Sequence, residues 1–172
     1  MEQLTPIAFA VALFGGIFDL LTKRIPNWWT FPAMAIGLIA QTYLRSGAGA
    51  LDSSLAIIVA LFLYLPIYVV GAMGAGDIKL LMAIGAWTNP RFVFCVAIIA
   101  VFIGGSYALI DVLWNRRLGA MVENVKRLFW VLVPTGLPRE RLDIDRTRKF
   151  SFGAAIALAV PGTILYLQRS GL

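Results

Sequence analysis

Residues 4–21 read LTPIAFAVALFGGIFDLL, a block of 18 residues in which Asp19 carries the only charge. A helix needs about 20 apolar residues to cross about 30 Å of hydrocarbon, so this block is long enough to span a bilayer. Of all 172 residues, 60% are hydrophobic and 14% are charged. A soluble domain carries roughly 45–50% apolar and about 25% charged residues. The composition therefore predicts an all-α, polytopic membrane helix bundle.

The apolar blocks predict about six transmembrane helices. They run at about residues 4–21, 28–44, 54–70, 78–87, 92–113 and 150–167. The fourth block is too short to cross alone, so it either begins below the membrane surface or crosses where the bilayer is thinned. Within the long polar segment 114–149, residues 121–133 predict an amphipathic helix, either at the cytoplasmic interface or packed under the bundle. We expect residues 1–172 to form a single membrane-embedded domain.

The basic residues predict the orientation of the bundle. If the loops alternate between the two sides, twelve of the 15 lysines and arginines fall on one side and three on the other. Because cytoplasmic loops are enriched in Lys and Arg, we expect the long loop in the cytoplasm and both termini outside. The net charge of +6 then lies in loops, where anionic lipid headgroups rather than nucleic acid are the expected partner.

Two scarce residue types exclude several kinds of chemistry. The chain has no histidine, and Cys95 is its one cysteine. Ser-His-Asp and Cys-His catalysis, histidine metal ligands, an intrachain disulfide and a CxxC zinc site are therefore excluded. We expect no metal and no cofactor, and any catalysis must rest on carboxylate, Lys, Tyr, Ser or Thr.

Three aspartates fall near the predicted cytoplasmic face: Asp19, Asp77 and Asp111. A carboxyl group at membrane depth is a functional candidate by default. Each also has a structural explanation. Asp77 follows a glycine and could cap its helix, and Asp19 could pair with Lys23 four residues later. For Asp111 we favour the structural role, a pair with Arg116 or Lys79.

Two carboxyl groups at one depth on different spans suit the hydrolysis of a peptide bond. One carboxylate deprotonates a water, and one carboxylic acid donates a proton to the scissile carbonyl. Two carboxyl groups held close together cannot both ionise easily, so they share a proton and titrate as a unit. Gly74 and Gly76 would let a backbone or a substrate strand approach Asp77, although small residues also serve plain helix packing in membranes.

The run Gly74-Ala75-Gly76-Asp77-Ile78-Lys79-Leu80 resembles the GxGD motif of the type IV prepilin peptidases. Asp19 followed by Arg24-Ile25-Pro26-Asn27 resembles the first aspartate and the RIPN loop of the same family, and residues 152–157 resemble its closing stretch. The resemblance implies that Asp19 and Asp77 are the catalytic pair. The supporting residues that it implies are Gly74, Gly76, Lys79, Arg24, Pro26 and Asn27.

The same resemblance implies an intramembrane aspartic endopeptidase of the bacterial inner membrane, whose substrate is a prepilin cut on the cytoplasmic side of its hydrophobic segment. Larger members of the family carry a cytoplasmic insertion with paired CxxC zinc motifs, and they methylate the new N-terminus. This chain has one cysteine and a short loop at that place. It is therefore similar to the short, peptidase-only branch found with tight-adherence (Flp-type) pili, and methyltransferase activity is not expected.

A small proton-coupled transporter or channel component is the alternative from a different class. It would use Asp19, Asp77 and Lys79 as a relay, and it too would need intramembrane acids and a broken helix. A relay should continue across the membrane, but no acid or lysine lies in the outer half of any predicted span. An inactive family member that serves in pilus assembly is a third possibility, and the presence of both aspartates gives it no support. The pattern favours the peptidase.

Overall fold

The computed structural model describes residues 4–69, 73–114 and 152–170, and the regular secondary structure within these ranges is helical. The helices in the described residues are α1 (Thr5–Thr22), α2 (Asn27–Val69), α3 (Ala75–Trp87), α4 (Pro90–Trp114) and α5 (Phe152–Ser170). Four of them, α1, α2, α4 and α5, are long and apolar enough to cross a membrane. The predicted all-α class is thereby confirmed. The amphipathic helix predicted at 121–133 lies outside the described residues.

α2 is a helical hairpin rather than one straight rod of 43 residues. Ser46 has φ 55° and ψ −142°, which lies outside the helical range. A methyl group on Gly49 would overlap the carbonyl oxygen of Gln41. In a continuous helix these residues would be about 12 Å apart, so the chain reverses at Ser46. We call residues 27–45 the first arm of α2 and residues 47–69 its second arm.

The predicted polar turn between the second and third blocks was too long. The sequence placed residues 45–53 outside the helices, whereas helix continues on both sides of Ser46. Arg45 Nη1 and Asp52 Oδ2 lie 2.9 Å apart and join the two arms across the bend. The two arms correspond to the second and third predicted blocks, and the count of six crossings stays a prediction.

α3 lies between the two arms of α2 and also contacts α1, α4 and α5. Its fully buried apolar side chains are Leu80, Leu81, Ala83, Ile84 and Ala86. Two glycines allow the close approach of the arms. A methyl group on Gly85 would lie 3.1 Å from the carbonyl oxygen of Ala56, and one on Gly37 would lie 2.8 Å from Trp87 Nε1. α3 therefore forms the centre of the bundle.

The C-terminal end of α3 stops inside the bundle because the helix is short. Its 13 residues span about 20 Å, which is less than the hydrocarbon thickness of about 30 Å. Its last carbonyl groups have no partner within the helix. Ser53 Oγ donates to the Ala86 carbonyl at 3.0 Å, and Gln41 Nε2 donates to the carbonyls of Trp87 at 2.9 Å and Thr88 at 3.4 Å. The arms of α2 thus satisfy the end of α3.

The outward surface of the bundle is apolar. The side chains of Leu21, Phe102 and Phe62 are 77%, 71% and 68% exposed. A continuous apolar surface of this kind would drive association in water, whereas in a bilayer it is covered by lipid tails. The exposed residues thus agree with the composition in pointing to lipid as the solvent.

Removing the Ser53 hydroxyl tests the role of the second arm at the end of α3. Ser53→Ala should lower the free energy of unfolding by about 1 kcal/mol, because a carbonyl inside the bundle loses its donor. The matched control is Ser54→Ala, since the neighbouring serine is exposed and its change should stay below about 0.5 kcal/mol. The measurement is unfolding in mixed detergent followed by circular dichroism. Equal losses from the two variants would contradict the capping role.

Candidate active site

Three helix ends meet at one end of the bundle: the C-terminal end of α1 and the N-terminal ends of α3 and α5. Two adjacent glycines let α1 approach both neighbours. A methyl group on Gly15 would overlap the Leu80 side chain of α3, and one on Gly16 would lie 2.7 Å from Ala157 Cβ of α5. The next turn of α1 carries Asp19.

Asp19 is buried, with 7% of its surface exposed, and its side chain binds the start of α5. Its Oδ2 accepts the backbone N–H of Gly153 at 3.0 Å. Gly153 is the second residue of α5, so its N–H belongs to the first turn, where helical N–H groups have no partner within the helix. The C-terminal end of a helix disfavours an anion and the N-terminal end favours one. The start of α5 therefore offsets the unfavourable position of Asp19 in α1.

Asp77 is also buried, with 6% exposed, and it caps the helix to which it belongs. Gly74 is the N-cap residue of α3, with φ −85° and ψ 152°. Asp77 Oδ2 accepts the N–H of Gly74 at 3.0 Å, and the Asp77 N–H donates to the Gly74 carbonyl at 3.2 Å. Asp77 therefore caps its helix, as the sequence suggested. It does so from the third position of the helix and not as the N-cap residue. The cap fixes the position of the carboxyl group.

Helix periodicity assigns both aspartates to the sides on which α1 and α3 contact each other. The reference point is the close approach of Gly15 to Leu80. Asp19 lies four residues after Gly15, and Asp77 lies three residues before Leu80. Residues three or four apart share a helix face, so each aspartate lies one turn from this contact on the contacting face. Because α1 ends where α3 begins, both steps lead toward the same end of the bundle.

Ile25, in the loop between α1 and α2, touches the surroundings of both aspartates. It is buried, and it fills space that two glycines leave open. A methyl group on Gly76 would lie 3.1 Å from Ile25 Cβ, and one on Gly153 would lie 3.0 Å from Ile25 Cδ1. Gly76 thus admits the protein's own loop next to Asp77. The close approach expected at this glycine exists, and in the structure Ile25 makes it.

Lys79 and Asn27, two of the predicted supporting residues, bind each other. Lys79 Nζ donates to Asn27 Oδ1 at 2.9 Å, and the ammonium group lies 5.3 Å from the centre of the Phe31 ring. Asn27 begins α2 and Lys79 is the fifth residue of α3, so this contact joins the N-terminal ends of the two helices. The pairing of Lys79 with Asp111 was one suggestion from the sequence. The Asp111 side chain lies outside the described part of the chain.

The remaining predicted residues lie in the loop before α2. The Pro26 carbonyl accepts the N–H groups of Trp29 and Thr30 at 3.2 and 3.3 Å, and so starts the helix. The Arg24 side chain is exposed, and its carbonyl accepts from Thr22 Oγ1 at 2.8 Å. Both residues shape the loop that carries Ile25. Among the described residues, no group of three or more acidic, histidine or cysteine side chains is arranged to hold a metal ion.

Two residues at the site were not singled out for a role from the sequence. Gly153 and Ile25 were noted only as members of runs that resemble a family. A glycine in the first turn of a span that begins at the depth of the acids was the available signal for Gly153. No local pattern indicates the contact of Ile25 with residues 76 and 153, which lie far from it in the chain.

The family model of the type IV leader peptidase family matches residues 7–109. The match covers more than half of the chain and includes the turns that carry Asp19 and Asp77. The chain belongs to the type IV leader peptidase family. The assignment to the prepilin peptidases made from the sequence is thus confirmed. Membership of the family indicates that the protein is a peptidase, a hydrolase of peptide bonds. No curated protein and no solved structure matches the chain.

The N–H that Asp19 accepts comes from outside the part matched to the leader peptidase family. The match ends at residue 109, whereas Gly153 lies in α5. α5 packs along α1 and α4, so its N-terminal end is held in place by two helices of the matched part. A description of the site that stops at residue 109 would lack one of the groups bound to its aspartates.

A methyl group at Gly153 should disturb Asp19 and lower peptidase activity. In Gly153→Ala the added carbon would lie 3.0 Å from both Asp19 Cβ and Ile25 Cδ1, so one of them must move. A misplacement of about 1 Å can cost about 100-fold in rate, and we expect a loss of about tenfold or more. The matched control is Gly162→Ala in the same helix, where the nearest atom, Ile99 Cγ2, is 4.0 Å away. The measurement is the rate of substrate cleavage by both variants in membranes. Equal activities would contradict this prediction.

Proposed function

We propose that this protein is an intramembrane aspartic endopeptidase that removes the leader peptide from Flp-type type IV prepilins at the cytoplasmic face of the inner membrane. The observation that carries the proposal is that Asp19 and Asp77 are both buried, each one helical turn from the contact between Gly15 and Leu80. Membership of the type IV leader peptidase family supplies the reaction class. The short loop after α1 supports the peptidase-only branch, without methyl transfer.

The arrangement suits acid–base hydrolysis by two carboxyl groups. One carboxylate takes a proton from a water, and the other group, protonated, donates to the carbonyl oxygen of the bond that is cut. Each aspartate already receives a backbone N–H at Oδ2, Asp19 from Gly153 and Asp77 from Gly74. These bonds hold the carboxyl groups at defined positions, which a reaction that depends on geometry requires. The proposed mechanism needs neither a metal nor a histidine.

The proposed topology has six crossings, with the two arms of α2 counted separately and both termini outside. The basic residues near each end of the bundle support this orientation. Lys23, Arg24 and Lys79 lie at the end that carries the two aspartates, and Arg45, Arg91 and Arg169 lie at the opposite end. The segment that joins the end of α4 to the start of α5, both at the aspartate end, carries nine further basic residues. An excess of positive charge is typical of the cytoplasmic side, which supports a site at the cytoplasmic face.

A proton relay through the bundle is the alternative, and the described residues give it little to use. Their buried polar side chains are Asp19, Thr30, Gln41, Ser53, Asp77, Thr88 and Thr163. The two acids in this set lie at one end. Toward the other end the buried polar groups are amides and hydroxyls that bind backbone carbonyls, as Gln41 and Ser53 do. A transport path would need titratable groups there.

Replacing each aspartate by asparagine tests the catalytic pair. Asp19→Asn and Asp77→Asn should each abolish cleavage of a prepilin in proteoliposomes. Asparagine is nearly isosteric and removes a buried charge, so the unfolding midpoint should hold or rise. Asp111→Asn serves as the control and should retain activity. If Asp111→Asn abolishes cleavage while Asp19→Asn does not, the pair is wrongly assigned.

The depth of the site also indicates how a prepilin would approach. Its long apolar helix partitions into lipid and leaves the charged leader in the cytoplasm, so the bond to be cut lies at the interface. The helix can approach sideways through lipid, with only the residues around the cut unwound. A basic protein face should not itself attract a basic leader, and anionic lipid is its expected partner. Recognition should therefore rest on the helix and on the residues that flank the cut.

Neutralising the Lys and Arg residues of a prepilin leader tests this model of approach. With the helix and the cut site unchanged, cleavage in vesicles should fall by less than about tenfold, or about 1.4 kcal/mol of barrier. The orientation of the substrate in the vesicles is checked by protease protection. A loss of about 100-fold, or about 2.7 kcal/mol, with unchanged orientation would mean that leader charge is read directly.

A further inference from the structure

Lys79 points away from Asp77 although only one residue separates them. Residues i and i+2 of a helix do not face each other, because two steps rotate the side chain by about 200°. The sequence left the role of this lysine open, between tuning the charge of the pair and meeting a carboxylate of the substrate. Its contacts are to the first turns of α2: the Asn27 side chain at 2.9 Å and the Phe31 ring at 5.3 Å.

Asn27 and Phe31 both bind the ammonium group of Lys79. They lie four residues apart and so share one face of α2. The amide oxygen of Asn27 accepts a charge-assisted hydrogen bond, and the Phe31 ring attracts the cation over its face. Lys79 is partly buried, whereas Asn27 and Phe31 are exposed, so the contact depends on the pairing of the two interactions and not on exclusion of water. Two different interactions thus fix the lysine to α2.

This contact completes a connected path from Asp19 through Ile25, Asn27 and Lys79 to Asp77, which we call the frame. From Asp19 the chain leaves α1 with the Lys23 N–H bound to the Asp19 carbonyl at 2.9 Å. It then passes Ile25 and enters α2 at Asn27. Lys79 crosses from Asn27 to α3, two residues after Asp77. The frame therefore runs from one aspartate to the other, and Ile25 lies inside it.

The frame has a second point of attachment beside the first, because Leu80, the next residue of α3 after Lys79, meets Gly15 of α1. That contact alone leaves the first turn of α3 free to tilt about it. Lys79 projects about 100° around the helix axis from Leu80, so its bond to α2 acts on a different side of α3 and opposes such a tilt. The two attachments together fix the position of α3 relative to both α1 and α2.

We propose that Lys79 is a positioning residue: by binding Asn27 and Phe31 it holds the N-terminal end of α3 against the N-terminal end of α2 and so sets the separation of Asp19 and Asp77. The inference rests on the proposed function of the aspartate pair. It assigns the lysine to the geometry of the site, and not to the charge of the pair or to contact with substrate.

A double-mutant cycle measures whether Lys79 acts through Asn27. Lys79→Met keeps the length of the side chain and removes the ammonium group, and Asn27→Ala removes the acceptor. Each should lower kcat for prepilin cleavage about tenfold and change KM less than about twofold, since the bond is not to substrate. The double variant should be no worse than the poorer single variant by more than about twofold, because both remove one interaction. Lys79→Arg, which keeps a cation and a donor, should recover most of the activity.

A distance measurement tests the positioning without any assay of cleavage. Spin labels at Leu21→Cys and Ala75→Cys, both exposed, report the separation of the ends of α1 and α3 in a Cys95→Ser background. The distribution should broaden or shift in Lys79→Met and in Asn27→Ala. It should stay unchanged in Arg91→Met, which removes an exposed cation at the other end of the bundle.

Two results would overturn the inference. One is a loss of activity in Lys79→Met with full activity in Asn27→Ala, or with a loss seen mainly in KM, which would place the lysine at the substrate or in the charge of the pair. The other is an unchanged distance distribution in both variants. Failure of the proposed function is distinguishable, because the parent protein would then not cleave a prepilin. The spin-label distances would still show whether Lys79 and Asn27 hold the ends of α1 and α3 in position.

Discussion

The burial of two carboxyl groups at one end of an apolar bundle is the constraint on which the rest of the structure depends. A buried polar or charged group without a partner costs several kcal/mol. Asp19 takes the N–H of Gly153, and Asp77 takes the N–H of Gly74. N–H groups at the start of a helix also lack a partner, so each bond satisfies both sides. The need of the acids for donors therefore explains why α1 ends where α3 and α5 begin.

This arrangement at one end of the bundle has a consequence at the other. α3 begins at the depth of the acids and has 13 residues, so its last carbonyl groups stop within the bundle. An unsatisfied carbonyl at that depth also costs several kcal/mol. The hairpin of α2 supplies the donors, Ser53 from one arm and Gln41 from the other. The reversal at Ser46 brings both arms alongside α3. The short helix therefore depends on the hairpin for the donors at its C-terminal end.

The positions of the helices could be predicted from the sequence because lipid requires long apolar blocks, and α1, α3, α4 and α5 lie within a few residues of the expected ranges. The bend in α2 was misjudged because polar residues usually indicate a loop. Here Arg45 and Asp52 form an ion pair across a reversal that Ser46 alone makes. The bonds from Gly153 to Asp19 and from Lys79 to Asn27 join residues 134 and 52 positions apart. Such contacts follow from packing, which no local pattern encodes.

Capping and catalysis are compatible roles for Asp77, although from the sequence they were weighed as alternatives. A carboxyl group that caps its own helix is held in one place, and hydrolysis by a carboxyl pair requires that. The spacing of Gly74, Gly76 and Asp77 then follows from two constraints. The cap needs its N–H three residues before the acid, where a methyl group on Gly74 would lie 3.3 Å from Asp77 Oδ2. Position 76 must lack a side chain, because Ile25 packs against it at 3.1 Å. Both glycines are thus explained by contacts within the protein, before any substrate is considered.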